Sequence, residues 1–334
     1  MPPRSKSKLA IVAAAILAAV IAGYAALAYY WFSPAAPLVP PARVMIERGE
    51  RFPQIARALA RNGVVRSGFA LRIYAELSGA ARRVKPGEYE FRGGERIPVV
   101  MRHLVRGDFI AVTVTIPEGL TVHQIAQRLG DAGLACPDNF ERAARSGAIV
   151  RALGLIPFGA EGYLFPATYK FPPNATVDRI LETMLARFYR VLTPAAEERM
   201  FALGMTPRQI VTMASMVEKE AHVPGERPLI AGVFYNRLRL KMPLQSDPTA
   251  EYGLGGESLR PAAAVRTPSA FNTYEITGLP PGPIANPGLS SIEAALYPAK
   301  TDYLYFVARP GGAHVFSRTF AEHQRQIGEH RAAK

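Results

Sequence analysis

The stretch Val44-x-Ile46-x-x-Gly49-x-x-Phe52-x-Gln54-Ile55-Ala56-x-x-Leu59-x-x-x-Gly63 organises the first half of the chain, because it occurs twice. It returns as Val114-x-Ile116-x-x-Gly119-x-x-Val122-x-Gln124-Ile125-Ala126-x-x-Leu129-x-x-x-Gly133, every pair offset by 70 residues. The copies continue with Glu88-Tyr89-Glu90-Phe91 against Thr168-Tyr169-Lys170-Phe171, and with Ile97/Val100/Leu104 against Val177/Ile180/Met184, now offset by 80. The second copy has therefore gained about ten residues near Gly154–Pro166. In each copy a β-branched strand and a Gly turn precede a helix with apolar residues at Ile55/Leu59 or Ile125/Leu129. A second helix, a short strand and a last amphipathic helix complete the unit. Two copies are too few for a solenoid, so we expect two related modules, at 44–110 and 111–192.

On the N-terminal side, 33–43 is a Pro-rich segment (SPAAPLVPP at its start) that reads as a semi-rigid extended linker. Before it, Leu9–Phe32 runs for 24 residues without a charge, long enough to cross a hydrocarbon core of roughly 30 Å. Arg4, Lys6 and Lys8 in the tail 1–8 predict an N-terminus in the cytoplasm, with the rest of the chain across the membrane. Tyr24, Tyr29, Tyr30 and Trp31 crowd the far end, where aromatic rings favour the interface. A cleaved signal peptide is the rival reading, with Ala26-Leu27-Ala28 as a small-residue cleavage site. The apolar run continues past that point, which favours an uncleaved anchor.

The formal charge is +13 and suits an anionic partner. The basic residues are scattered and lack an aromatic-studded RNA motif, which argues against nucleic acid. Cys136 is the one cysteine, so neither an internal disulfide nor a Cys-based zinc cluster is open to this chain.

On the C-terminal side, 193–334 opens with two helices and then becomes rich in Pro, Gly, Asn and Thr. Loops of that kind usually line sites on a rigid scaffold. A strand at Tyr303–Val307 and a partner at Ala313–Phe316 flank a Pro310-Gly311-Gly312 turn. Thr206-Pro207-Arg208-Gln209 is a capping box with Pro at N1, starting a helix that we expect to end near His222. Ile210, Met213, Ala214, Val217 and Ala221 form its buried face. Glu218 and Glu220 sit on opposite borders of that face, each about 80° from its centre. A carboxyl at such an edge is partly desolvated, which moves it toward the range of a general acid. Glu218 has small neighbours one turn away, so periodicity slightly prefers it. The alternative is that both are boundary residues paired with Arg or Lys.

Glu218 and His222 are spaced i, i+4, but the pattern is not His-Glu-x-x-His, so we expect no metal. No Gly-x-Ser-x-Gly elbow, P-loop or Rossmann fingerprint occurs, and we expect no cofactor. Tyr235-Asn236 on the next helix and Gln245-Ser246-Asp247 beyond it are side chains that hydrogen-bond sugars or stack on them. The bland reading is an Asx turn closed by Asp247 before Pro248, with Tyr235 in the core.

Several strings resemble those of the endolytic murein transglycosylase, or YceG-like, family. They are Ala214-Ser215-Met216-Val217-Glu218-Lys219-Glu220, Phe234-Tyr235-Asn236-Arg237-Leu238, Leu244-Gln245-Ser246-Asp247-Pro248-Thr249 and Phe271-Asn272-Thr273-Tyr274. Gly278-Leu279-Pro280-Pro281-Gly282-Pro283-Ile284-Ala285-Asn286-Pro287-Gly288, Tyr303-Leu304-Tyr305-Phe306-Val307, His314-x-Phe316-Ser317 and Glu322-His323 continue the series. Phe271 departs from the family's frequent Tyr. The strand–helix–helix–strand part of each module also resembles the LysM fold that grips N-acetylated glycans.

The resemblance implies an α+β chain: one transmembrane helix, LysM-like βααβ modules, then an α+β catalytic domain. It implies a lyase in the inner membrane that cuts β-1,4 MurNAc–GlcNAc bonds within peptidoglycan strands and leaves 1,6-anhydro ends. Glu218 is the implied catalytic acid/base; from side-chain type and loop position we expect Gln245, Ser246, Asp247, Asn272, Tyr274, Tyr235 and Asn236 to line the groove. Glycan strands, the membrane and peptidoglycan synthases are the expected partners. Two alternatives stay open: an anchored glycan-binding scaffold without catalysis, and a hydrolytic muramidase with Asp247 as second carboxylate.

Overall fold

The computed structural model describes residues 4–155, 159–255 and 261–332. Residues 1–3 of the expected tail, 156–158 of the inserted segment, and 256–260 and 333–334 of the C-terminal region lie outside these. The chain is a mixture of α and β elements, divided into two compact units, Met1–Ala111 and Val112–Lys334.

In the first unit, α1 (Arg4–Phe32) contains one stretch, Val12–Phe32, long and apolar enough to cross a membrane. Its last turns meet the folded part of this unit. The Trp31 indole N–H donates to the Ala70 carbonyl at 2.9 Å, and the Trp31 and Tyr74 rings meet edge to face. β1 (Pro37–Ile46) pairs antiparallel with β2 (Gly87–Gly93), Val44 opposite Tyr89. Between the strands lie α2 (Phe52–Arg61) and α3 (Gly68–Leu77), and α4 (Ile97–Arg106) follows. Ile55, Leu59, Leu71, Tyr89, Phe91, Val100 and Leu104 make the core. The expected Pro-rich linker needs correction. Pro37–Ala42 belongs to β1, with a register shift between Pro37 and Ala42. A two-stranded sheet gives each strand a free edge, where the missing N–H of proline does no harm.

The second unit opens with the same order: β3 (Val112–Ile116), α5 (Val122–Asp131), α6 (Pro137–Ser146), a short α7 (Ala148–Ala152), β4 (Ala167–Phe171) and α8 (Val177–Tyr189). β3 and β4 pair antiparallel, with Val114 opposite Tyr169. These two residues match Val44 and Tyr89, which face each other in the first sheet.

The chain continues through α9 (Pro194–Leu203), α10 (Pro207–Glu220), α11 (Arg227–Arg239), α12 (Asp247–Gly253), α13 (Pro261–Ala264) and α14 (Leu289–Leu296). It ends in the hairpin β5 (Tyr305–Ala308) and β6 (His314–Ser317), then α15 (Phe320–Ala332). One core runs unbroken from Ile116, Phe171 and Phe188 to Met213, Ile230 and Ile292.

α10 is its axis. The Thr206 hydroxyl accepts from the Gln209 N–H, the Gln209 side chain accepts from the Thr206 N–H, and Ile210–Val217 are all buried. The helix ends at Glu220, two residues before the expected His222, because Ala221 already has extended backbone. The Ser215 hydroxyl accepts the Ile284 N–H and so joins the Pro/Gly-rich loop to the helix. Gly162, from the inserted segment, seals the same contact. It has φ +86°, and a Cβ there would lie 2.5 Å from Pro283 Cβ and 2.7 Å from Val211 Cγ1. Gly162→Ala should therefore cost about 2 kcal/mol or more through strain and overpacking. Chemical denaturation should show that loss, whereas Gly154→Ala, with open space around it, should cost about 1 kcal/mol for its positive φ alone.

Candidate active site

Glu218 lies in the last turn of α10, where the helix dipole disfavours negative charge. Two donors compensate. Arg227 Nη2, at the start of α11, donates to Glu218 Oε1 at 3.2 Å, and the Gly288 N–H donates to Oε2 at 2.9 Å. Gly288 is the N-cap of α14, so a helix N-terminus also faces the carboxyl. Arg227 is held in turn, its Nε donating to the Ser291 hydroxyl at 2.9 Å. The Glu218 side chain is 7% exposed. Of the two readings of this border, pairing with an arginine is the one observed: Glu218 ends the buried face of α10 in a polar, cationic socket supplied by other elements.

Glu118, in the turn after β3, reaches the same place. Its carboxyl lies 3.9 Å from Arg227 Nη2 and fills the space that a Cβ on Gly288 would need. Beneath it, the Gly119 N–H donates to the Asn286 carbonyl and the Asn286 N–H donates to the Leu120 carbonyl. The Asn286 side chain completes the clamp, accepting from the Leu164 N–H and donating to Leu120 O and to Glu161 Oε1. Glu161 also accepts from the Val122 N–H and from the Tyr252 hydroxyl. Burial raises the Glu161 carboxyl to about 7, against the lowering pull of these donors.

Glu220 faces a different set. It accepts from the Ser246 hydroxyl at 2.5 Å, and burial raises it to about 7, with Asp247 and Glu251 pushing the same way. The Tyr274 hydroxyl donates to Asp247 Oδ1 at 2.5 Å. Gln245, whose φ is +54°, accepts from the buried Arg237 guanidinium. Gln245, Asp247 and Tyr274 are exposed on this flank.

The other expected groove residues are braces. Ser246 is buried against Glu220. Asn272 is fully buried, its amide donating to Val265 O and Thr267 O and accepting the Tyr274 N–H. The Tyr235 hydroxyl donates to Ala295 O, and Asn236 donates to Thr301 O and Tyr303 O. These loops carry backbone groups that only nearby side chains can satisfy, so polar residues are spent on the loop itself. His222 lies beyond the helix and points to Glu220 O. Among the described residues no three His, Cys, Asp or Glu side chains gather as a metal site.

Arg227, Gly288, Glu118, Glu161 and Asn286, which surround Glu218 and the loop beside it, are not among the residues expected from the sequence. One signal existed for Glu118, because the first copy of the repeat has Arg48 at the matching position.

The family model for the YceG-like family matches residues 44–329. The chain belongs to the YceG-like family. The endolytic murein transglycosylase of Bacillus subtilis strain 168 is 46% identical over 167 residues, 49% of this chain and 46% of that protein. That of Streptococcus pneumoniae serotype 2 strain D39 is 36% identical over 248 residues, 66% of this chain and 45% of that protein. The matched stretch thus spans under half the length of both relatives. A crystal structure of a YceG-like protein from Listeria monocytogenes superposes with a TM-score of 0.60 at 31% identity, over 87% of this chain and all of that one. The YceG-like fold therefore accounts for most of the chain, with Glu218 and its socket inside the matched region.

A folded carboxyl raised from 4.5 to about 7 keeps its proton where the unfolded chain has lost it. It contributes stability that is full below 4.5 and lost as pH rises through about 7. Glu161→Gln should remove this slope. Wild type should lose stability relative to the variant between pH 5 and 7, by up to about tenfold in the folding constant per pH unit. Thermal melts of both proteins across that range check it; parallel pH dependence would contradict it.

Proposed function

We propose that this protein is a membrane-anchored lytic transglycosylase. It cleaves β-1,4 bonds between N-acetylmuramic acid and N-acetylglucosamine inside peptidoglycan strands, with Glu218 as acid/base. One observation carries the reading: a nearly buried glutamate, Glu218, in a socket built by Arg227 and the Gly288 N–H, with Ser291 bracing Arg227, in a chain whose relatives are named endolytic murein transglycosylases.

The chemistry explains why one carboxyl can act twice. Protonated Glu218 gives its proton to the glycosidic oxygen as the C1–O4 bond breaks. The resulting carboxylate takes the proton of the C6 hydroxyl as O6 bonds to C1. The products are a free 4-hydroxyl and a 1,6-anhydro end, Glu218 recovers its proton, and no water is consumed. A hydrolase needs a second group at a set distance as nucleophile or base. Arg227 and the Gly288 N–H then hold the anion that forms between the two proton transfers. Gln245, Asp247 and Tyr274 line the approach, Tyr274 offering an aromatic face and Asp247 an acceptor. The two βααβ modules are LysM-like and hold or position the glycan. The Val12–Phe32 helix keeps this periplasmic site near the inner membrane, where strands are made and synthases work, so nascent strands are the substrate.

The geometry gives little to a muramidase using Asp247, because that carboxylate is engaged by Tyr274 and lies beside Glu220 rather than in the Glu218 socket. Glu218→Gln should lower cleavage of purified peptidoglycan by about 10²–10⁴-fold with an unchanged melting midpoint, while Asp247→Asn keeps a substantial rate and weakens substrate binding. Release of soluble glycan is the readout. Full activity in Glu218→Gln would remove the assignment, and equal collapse in both variants would favour the muramidase.

A further inference from the structure

Glu218 is met by a guanidinium and a backbone N–H. Both are donors, so the socket binds a carboxylate, and a carboxylate cannot protonate a leaving oxygen. Another feature must let a proton stay at this place before each cut. Glu118 is the group so placed. Its Oε2 lies 3.9 Å from the Arg227 Nη2 that binds Glu218 Oε1 at 3.2 Å. One guanidinium nitrogen therefore faces two carboxyls. They differ in access: the Glu118 side chain is 48% exposed and that of Glu218 7%. Glu118 comes from the second βααβ module, is seated by the absent side chain of Gly288, and stands in a turn fixed by Asn286.

We propose that Glu118 is a positioning residue for the reaction, sharing Arg227 with Glu218 so that the pair retains one proton and Glu218 begins the cut as an acid. This rests on the reading of Glu218 as acid/base. With both carboxyls ionised, the three side chains carry a net charge of −1, and a single proton brings them to zero. Repulsion between the carboxylates then favours keeping that proton. The Glu118 carboxyl is held above its usual range by burial and then by the charge of Glu218, with Arg227 opposing. Glu218 on α10 and Arg227 on α11 are the charged groups that act on it, and the Lys219 stem packs beside the neighbouring Gly119. The second module thus supplies part of the active site in addition to any hold on glycan.

The test is the pH–rate profile for formation of 1,6-anhydro ends, using the full chain in detergent, for wild type, Glu118→Gln and Glu118→Asp. Glu118→Gln should move the basic limb about one pH unit toward acid, lowering kcat about tenfold at pH 7 while KM stays within about twofold. Glu118→Asp should restore most of the wild-type profile. A Glu118→Gln profile that matches wild type in shape overturns the proposal, whether or not the rate falls, because a merely structural role lowers rate without moving the limb. Wild type that makes no anhydro ends overturns the Glu218 reading and this inference with it. An NMR titration of the glutamate carboxyl carbons gives a readout free of activity: in Glu218→Gln, Glu118 should titrate at lower pH than in wild type. An unmoved Glu118 titration also overturns the proposal.

Discussion

The socket around Glu218 is the constraint on which the second unit is arranged. A carboxyl in the last turn of a helix, 7% exposed, is costly to keep unless opposite charge and donors reach it. Arg227 on α11 and the N-terminus of α14 supply them, and each must be held still. Ser291 fixes Arg227, and the Asn286 clamp fixes the loop that ends in Gly288. The packing of α10 against α14 and α11 and the bond from Ser215 to Ile284 serve the same end. Much of the Pro/Gly-rich loop is understood as the means of delivering one N–H to one carboxylate oxygen.

The second βααβ module is bound into this arrangement. Its β3–α5 turn carries Glu118, Gly119 and Leu120, and its inserted segment carries Glu161, Gly162 and Leu164, all of which meet the Asn286 loop or α10. The first module has the same element order but has Arg48 where the second has Glu118 and lacks the insertion. The repeated unit has kept its core, and its second copy carries Glu118 and the inserted segment at its contacts with the Asn286 loop and α10.

How much of this was legible in the sequence follows from the range of each interaction. The repeat, the start of α10 and the β5–β6 hairpin rest on local patterns: Thr206-Pro207-Gln209 for the cap, and Tyr303–Val307 with Gly311-Gly312 for the hairpin. These were readable within a residue or two. Glu218 was placed at a helix border by periodicity, which preferred it to Glu220 only slightly; the family resemblance named it. Its partners come from nine and 70 residues away, and no local pattern marks an Arg at 227 or a Gly at 288 as its donors. Asn272, Tyr235 and Asn236 misled for a related reason. Their types suit sugar binding, but irregular loops leave carbonyls and N–H groups that must be paired, and these side chains pair them. The Pro-rich segment misled because its composition fits a spacer equally well as an edge strand.

In the proposed reaction the bond is cut without water, by one carboxyl that hands its proton out and takes another back. The decisive measurement is to digest purified peptidoglycan with this protein in water enriched in oxygen-18 and weigh the released muropeptides. New muramic ends should have the mass of the 1,6-anhydro sugar and carry no heavy oxygen. Reducing ends that carry one oxygen-18 would contradict it.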